Sequence, residues 1–115
     1  MIQVQKLIAD LDQIILSLRM YVRPHKAWQR QLLELVDKAD REMQILRMTT
    51  VMKKSEQEIA ESALQLGRTC KQINQAIRGT RADALVQSCA ATSLKIAEAI
   101  AMLVRQDGKS SETGA

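Results

Sequence analysis

Few side chains in this 115-residue sequence could carry out chemistry: one histidine, two cysteines and thirteen acidic residues. His25 follows Pro24 in a predicted turn, where we expect it to be exposed and to lack the partner that would make it a general base. A di-metal helical site needs inward-pointing Glu-x-x-His pairs, which one histidine cannot supply. The sequence also has no glycine-rich phosphate loop and no zinc-ligand spacing. It therefore predicts no catalytic residue, no metal site and no cofactor.

The two cysteines, Cys70 and Cys89, both belong to series of apolar residues. They could form a redox pair, or they could be two buried thiols that act as small apolar side chains. Axes of packed antiparallel helices lie about 8–10 Å apart, whereas a disulfide needs Cα atoms about 4.4–6.8 Å apart. We therefore predict buried, free thiols.

The elements that must position these residues are helices. With no Phe, one Tyr, one Trp, four Gly and one Pro, the composition disfavours β-sandwiches and barrels. Apolar residues recur at alternating steps of three and four, which is typical of helices packed in a bundle. The series are Val4, Ile8, Leu11, Ile15, Leu18, Val22; then Trp28, Leu32, Leu35, Val36, Ala39, Met43, Leu46; then Ile59, Ala63, Leu66, Cys70, Ile73, Ile77; and finally Leu85, Cys89, Thr92, Ile96, Ala99, Leu103.

These series predict helices near 2–22, 25–53, 56–78 and 81–106, which form one domain over 1–106. Short connections make neighbouring helices antiparallel, so the expected fold is all-α, an up-down-up-down four-helix bundle. Such helices give a rod about 30–40 Å long. The polar stretch 107–115 is expected to be a flexible tail.

The boundary between the second and third helices is the least certain of the three in the sequence. Ser55 and Glu58 match an N-terminal capping box, but no Gly or Pro enforces a break. One continuous helix over 25–78, which would give an intertwined dimer, is the alternative.

The third turn predicts which residues meet. Gly79 can end one helix in the left-handed conformation, and Thr80 with Asp83 resembles a capping box that starts the next helix immediately. A tight turn would place these pairs at equal heights: Ile73 with Val86, Cys70 with Cys89, Leu66 with Ser93, Ala63 with Ile96 and Ile59 with Ile100.

One end of the predicted rod is strongly basic, although the whole chain carries a net charge of only +4. No acidic residue occurs over 13–33 or 62–82, and the first and third turns meet at this end. We call it the basic pole and define it by Arg19, Arg23, Lys26, Arg30, Arg78 and Arg81. Candidate partner-binding residues are these six together with Tyr21, His25 and Trp28. Cations beside aromatic rings suit phosphate and base-stacking contacts, and they also suit an acidic protein.

Two resemblances bear on function. Arg19 and His25 have the Arg-x5-His spacing of HEPN-type ribonucleases, but Pro24 interrupts the helix and Met20 replaces the usual polar residue. The short-loop, basic layout is similar to small RNA-binding bundles of plasmids and accessory bundles of retroelements, and residues 67–75 resemble part of plasmid mobilisation accessory proteins. This layout implies a nucleic-acid-binding accessory role and assigns no site residue.

Two functions remain open at this point. The first is a non-enzymatic adaptor that acts through contacts with a protein partner or with itself, and the second is an accessory protein that binds nucleic acid through the basic pole. The sequence has no apolar run long enough to span a membrane and no signal-peptide pattern at its start. We therefore expect a cytoplasmic protein without membrane contacts.

Overall fold

The spacing of apolar residues produces four helices in a computed structural model that describes the backbone of residues 2–113 and the side chains of residues 3–105. The helices are α1 (Ile2–Tyr21), α2 (Ala27–Val51), α3 (Glu56–Ile77) and α4 (Ala84–Thr113). Each helix packs against two neighbours, in the cyclic order α1, α2, α3, α4. The predicted all-α four-helix bundle is confirmed.

Side-chain contacts across the helix pairs show that sequential neighbours run antiparallel. Arg19 near the end of α1 reaches Asp37 in the first half of α2, whereas Asp12 lies 3.8 Å from Arg47 near the end of α2. Between α3 and α4, the Asn74 side-chain amide donates to the carbonyl of Ala90 at 2.7 Å. The first and third turns therefore lie at one end of the bundle and the second turn at the other.

The core agrees with the predicted apolar series in α1 and α3, all of whose members are buried. In α4 the predicted series was right at Cys89, which is buried, and wrong by one position at its other members. Leu85 is exposed, whereas the residues that α4 buries are Val86, Cys89, Ala90, Ser93, Ala97, Ile100 and Val104. Both cysteines are buried and free, as predicted.

The second turn separates α2 from α3, so the alternative of one continuous helix over 25–78 was wrong. Val51 ends α2, Lys53 adopts a left-handed φ of 52°, and Glu56 begins α3. The Ser55 hydroxyl accepts from the backbone N–H of Glu58 at 3.2 Å, which is the predicted N-cap bond.

The third turn is longer than predicted, which corrects the expected capping box. Gly79 takes the left-handed φ of 76°, but the Thr80 hydroxyl donates back to the carbonyl of Ile77 at 2.6 Å instead of capping α4. The cap is Asp83, whose carboxylate accepts from the backbone N–H of Val86 at 2.9 Å. The helix therefore begins at Ala84 and not near residue 81.

This longer turn shifts the register between α3 and α4 by about one helical turn. Cys70 has Ser93 and not Cys89 as its neighbour on α4, and Asn74 contacts Ala90. The five predicted pairs over 59–100 were wrong by this displacement, because they required α4 to start directly after Thr80.

The bundle is longer than expected, with principal extents of 53 × 21 × 19 Å. One reason is that α4 has 30 residues and continues to Thr113, beyond the predicted end at 106. The flexibility predicted for 107–115 stays a prediction, and residues 114–115 lie outside the described part. In the part of the chain described by the structure, no helix combines the length and apolar character needed to cross a membrane.

Candidate functional site: the basic pole

The basic pole is assembled from two turns that are far apart in sequence. Residues 22–26 join α1 to α2 and residues 78–83 join α3 to α4, and the antiparallel packing brings both turns to the same end. All six basic residues of the pole are exposed to solvent. Among residues 3–105, no acidic side chain forms an ion pair with Arg23, Lys26, Arg30, Arg78 or Arg81.

Arg19 differs from the other five because two aspartates of α2 hold its guanidinium. Its Nη2 lies 2.6 Å from Asp37 Oδ1 and 3.3 Å from Asp40 Oδ2. The hydrogen bond to Asp37 and the charges of both aspartates raise the pKa of Arg19 above its ordinary value. Arg19 therefore belongs to the α1–α2 contact. The sequence pattern counted its charge as free, but the two aspartates balance it.

The first turn is held by hydrogen bonds within itself. The side-chain carbonyl of Gln29 accepts from the backbone N–H groups of His25 at 3.1 Å and Lys26 at 2.7 Å. Arg30 donates from Nη1 to the carbonyl of His25 at 3.3 Å. The bond to Lys26 satisfies the N–H group of the N-cap residue of α2. These hydrogen bonds also fix the backbone from which Arg23 and Lys26 project.

The aromatic side chains of the pole have different environments. Trp28 is half-buried and packs against the hydrophobic core, so most of its ring is a core contact. Tyr21, at the end of α1, remains 51% exposed. Tyr21 is therefore the aromatic side chain of the pole that a partner can reach directly, and His25 is exposed beside it.

The third turn contributes a shallow cavity of about 350 Å³ to the pole. Its wall combines a cation with amide side chains: Asn74, Ile77, Arg78, Gly79, Thr80 and Gln87. Gln87 donates to the carbonyl of Ala82 at 2.8 Å and so holds the turn against α4. The acid of this turn, Asp83, is engaged as the N-cap of α4. The cavity therefore presents amides and one guanidinium to solvent.

Two exposed apolar side chains at the pole were not among the predicted site residues. Met20, in the last turn of α1, is 70% exposed, and Leu85, in the first turn of α4, is 48% exposed. The sequence did contain a signal for Met20. It is an apolar residue outside the buried α1 series, and it lies beside the cations at the end of that helix. Leu85 had no such signal, because the predicted α4 series placed it in the core.

The described side chains, residues 3–105, contain no group of three or more His, Cys, Asp or Glu that could hold a metal ion. The thiols lie inside the bundle and away from the pole surface. Burial raises the pKa of the Cys70 thiol to about 11, with a smaller increase from Glu42 and an opposing hydrogen bond from Ser93. Burial and the charge of Asp83 raise the pKa of Cys89. Both groups are held in the unreactive thiol form.

No protein-family model, curated protein or solved structure matches this chain significantly. Function is therefore inferred from the side chains of the pole and the helices that hold them.

Proposed function

We propose that this protein is a non-enzymatic adaptor whose basic pole binds an acidic surface of a protein partner. The observation that carries the proposal is the combination of apolar and cationic side chains at one end of the bundle. Met20, Tyr21 and Leu85 are all about half exposed or more, and they share this end with five exposed cations that have no ion-pair partner among residues 3–105.

This combination matches the usual anatomy of a protein interface. Such interfaces have apolar and aromatic anchors at their centre and charged groups around the rim. Met20 and Leu85 would supply the anchors and Arg23 and Arg81 the rim. A partner rich in Asp and Glu would also approach faster because the charges attract over a distance.

A nucleic acid is the competing partner, and two features of the pole favour it less. Stacking on bases needs exposed aromatic rings, and since Trp28 packs against the core, Tyr21 alone of the two rings at the pole offers one. Phosphate binding needs unpaired cations, and the engagement of Arg19 with Asp37 and Asp40 reduces them from six to five. The apolar Met20 would add little to contacts with a phosphate backbone.

Binding to labelled polyanions tests the proposal against this alternative. The probes are single- and double-stranded DNA, single-stranded RNA and polyglutamate, measured by fluorescence anisotropy between about 50 and 200 mM salt. The adaptor proposal expects the pole to attract these probes through charge alone. All four should then bind weakly, and their affinities should fall in parallel as the salt concentration rises. Micromolar or tighter binding to one nucleic acid, with a steep salt dependence that polyglutamate lacks, would contradict the adaptor proposal.

A pair of double variants shows whether the pole is the surface involved. Arg23→Glu with Arg81→Glu reverses two exposed charges of the pole. The matched control, Lys54→Glu with Lys95→Glu, makes the same change in net charge at exposed positions in the second turn and in α4. The pole variant should abolish residual polyanion binding, whereas the control should weaken it slightly. Equal losses would show that only net charge matters.

A further inference from the structure

A second surface lies on the side of the bundle, between α3 and α4, and uses none of the residues of the basic pole. It is an open groove of about 340 Å³ with an apolar floor. We call it the α3–α4 groove and define it by its lining: Ala63, Leu64, Gly67, Arg68, Lys71, Leu94, Ala97, Glu98, Ala101, Met102 and Arg105. Its floor consists of small residues, because the observed register sets Ala63 and Gly67 of α3 against Ala97 and Ala101 of α4.

Gly67 is the residue of the groove that the fold itself does not explain. It lies in the interior of α3, where glycine destabilises a helix relative to alanine. A Cβ atom added there would meet no other atom within 4 Å, so steric crowding does not require glycine at this position. The backbone is helical, so no left-handed conformation requires glycine either. What glycine does provide is room for another chain to approach the α3 backbone closely.

The edges of the groove carry both apolar and charged side chains. Leu64 is 44% exposed and Met102 is 62% exposed, so the apolar surface of the floor continues onto both edges of the groove. Arg68, Lys71 and Arg105 stand around them, and within residues 3–105 none of the three forms an ion pair. The one acid of the lining is Glu98. The rim is therefore net positive.

The dimensions of the groove fit a short helix. The lining runs over 63–71 on α3 and over 94–105 on α4, which at about 1.5 Å per residue is about 12–16 Å, or two to three helical turns. Amphipathic helices bind in such grooves through apolar side chains spaced three and four residues apart.

We propose that the α3–α4 groove binds an amphipathic helix of a partner protein, with acidic residues beside the apolar face of that helix. The apolar side chains fill the space above Gly67 and contact Leu64 and Met102. The acidic residues pair with Arg68, Lys71 and Arg105. This site is separate from the basic pole, so either proposal can fail while the other stands.

A second copy of this chain fits the groove less well, because its charges have the wrong sign. Groove-to-groove packing would bring two net positive rims together. An exposed apolar stripe, formed by Ile45 and Met48 of α2 and by Met52 directly after the helix, has Arg41 and Lys53 at its two ends and Glu42 beside Ile45. Docking that stripe into the groove of another copy would again place cations against Arg68, Lys71 and Arg105.

Binding of two synthetic peptides to the full chain tests the charge and the shape of the groove. The probe is a capped amphipathic peptide of about 18 residues with leucines at positions i, i+4, i+7 and i+11 and glutamates beside them. The comparison peptide has lysine at every glutamate position. We expect the glutamate peptide to bind at least tenfold more tightly. Equal binding of the two peptides, or no binding of either, would overturn the proposal.

Gly67 offers a matched pair of variants for the shape of the groove. Gly67→Leu fills the floor, and the open space at this position lets the helix accept it. Gly67→Ala adds a single methyl group at the same place. Peptide affinity should fall at least tenfold in Gly67→Leu and less than about threefold in Gly67→Ala. Ala101→Leu, at a partly exposed position of the lining, blocks the floor independently from α4, so the result does not depend on one variant folding.

Equal affinities of the parent, Gly67→Leu and Ala101→Leu proteins would overturn the proposal. Sedimentation velocity on the same proteins identifies a different occupant. A parent dimer that Gly67→Leu converts to monomer would show that a second copy fills the groove, and it would also overturn the acidic-helix proposal. If Gly67→Leu leaves the sedimentation of the protein unchanged, the result agrees with the acidic-helix proposal.

Discussion

The basic pole and the α3–α4 groove are built in opposite ways. The pole takes its cations from turns and helix ends, so its shape depends on two loops and its charge on residues far apart in sequence. The groove takes its lining from the faces of two long helices, so its shape depends on their register. Turns leave local signals in the sequence, whereas a groove exists only once the register is known. The pole was therefore visible in the sequence and the groove was not.

The largest effects should come from charge reversals that separate the two surfaces. Arg23→Glu with Arg81→Glu should abolish polyanion binding and leave binding of the glutamate peptide unchanged. Arg68→Glu with Lys71→Glu should abolish binding of the glutamate peptide and leave polyanion binding unchanged. All four residues are exposed, so far-UV circular dichroism should show unchanged helicity in both variants. If either pair of reversals weakens both kinds of binding equally, the two surfaces are not independent.

The next largest effect concerns the core beneath the groove. Leu66 is fully buried on α3, and Leu66→Ala should lower the free energy of unfolding by about 2–5 kcal/mol. Gln75→Ala, on the exposed face of the same helix, should change it by less than about 0.5 kcal/mol. Urea denaturation followed by circular dichroism measures both. Similar losses in the two variants would contradict the helical face assigned to α3.

Alkaline pH should destabilise the bundle through Cys70, which lies in the α3–α4 contact and not at the pole. Its pKa rises from an ordinary value of 9.0 to about 11 in the folded protein, chiefly because it is buried. The unfolded chain loses this proton first, so the stability is full below about pH 9 and falls as pH rises toward about 11. Urea midpoints measured across this range should fall less in Cys70→Ala. An equal slope in the two proteins would show that Cys70 contributes nothing to the loss.

A stabilising change should sharpen the contrast between the two surfaces. Gly67→Ala should raise the free energy of unfolding by about 1 kcal/mol, because the helix gains propensity and no atom within 4 Å obstructs the methyl group. Thermal denaturation measures the change. Gly79→Ala, at the pole, should instead destabilise, since Gly79 has a φ of 76°. A destabilising Gly67→Ala would mean that the fold itself needs this glycine.

The smallest effect is expected at Arg19. Its ion pairs with Asp37 and Asp40 are exposed to solvent, so Arg19→Ala should cost about 1 kcal/mol or less. Polyanion binding should also change little, because the charge of Arg19 is already balanced. If Arg19→Ala weakened polyanion binding as much as Arg23→Ala does, Arg19 would have to be part of the binding surface.

The sequence was sufficient for the core faces of α1 and α3, because they depend on local periodicity. The capping pattern at Ser55 favoured a break between α2 and α3 but left one continuous helix open, and the structure shows the break. The sequence was insufficient for α4. The Thr80 side chain forms a bond within the turn and leaves Asp83 to cap the helix, and both residue types occur as N-caps. That choice displaced the α3–α4 pairs by one turn. It hid Leu85 at the pole and the small-residue floor of the groove.

The sequence predicted that cations cluster at the pole, but it could not predict which of them would be paired with acidic side chains. Arg19 meets Asp37 and Asp40 across the α1–α2 contact, about 20 residues away in sequence, and no local pattern reports such a pair. Trp28 belonged both to the predicted apolar series of α2 and to the candidate binding residues, and its packing against the core agrees with the series.

Site-specific photo-crosslinking tests the central claim most directly, namely that the pole binds a protein and not a nucleic acid. A photoreactive amino acid replaces Met20 at the pole, and in a control it replaces Lys54 in the second turn, in cells that express the full chain. Adducts are separated before and after nuclease and protease treatment. The account predicts adducts from position 20 that protease removes and nuclease leaves intact, with a much lower yield from position 54. Nuclease-sensitive adducts at position 20, or equal yields at the two positions, would contradict it.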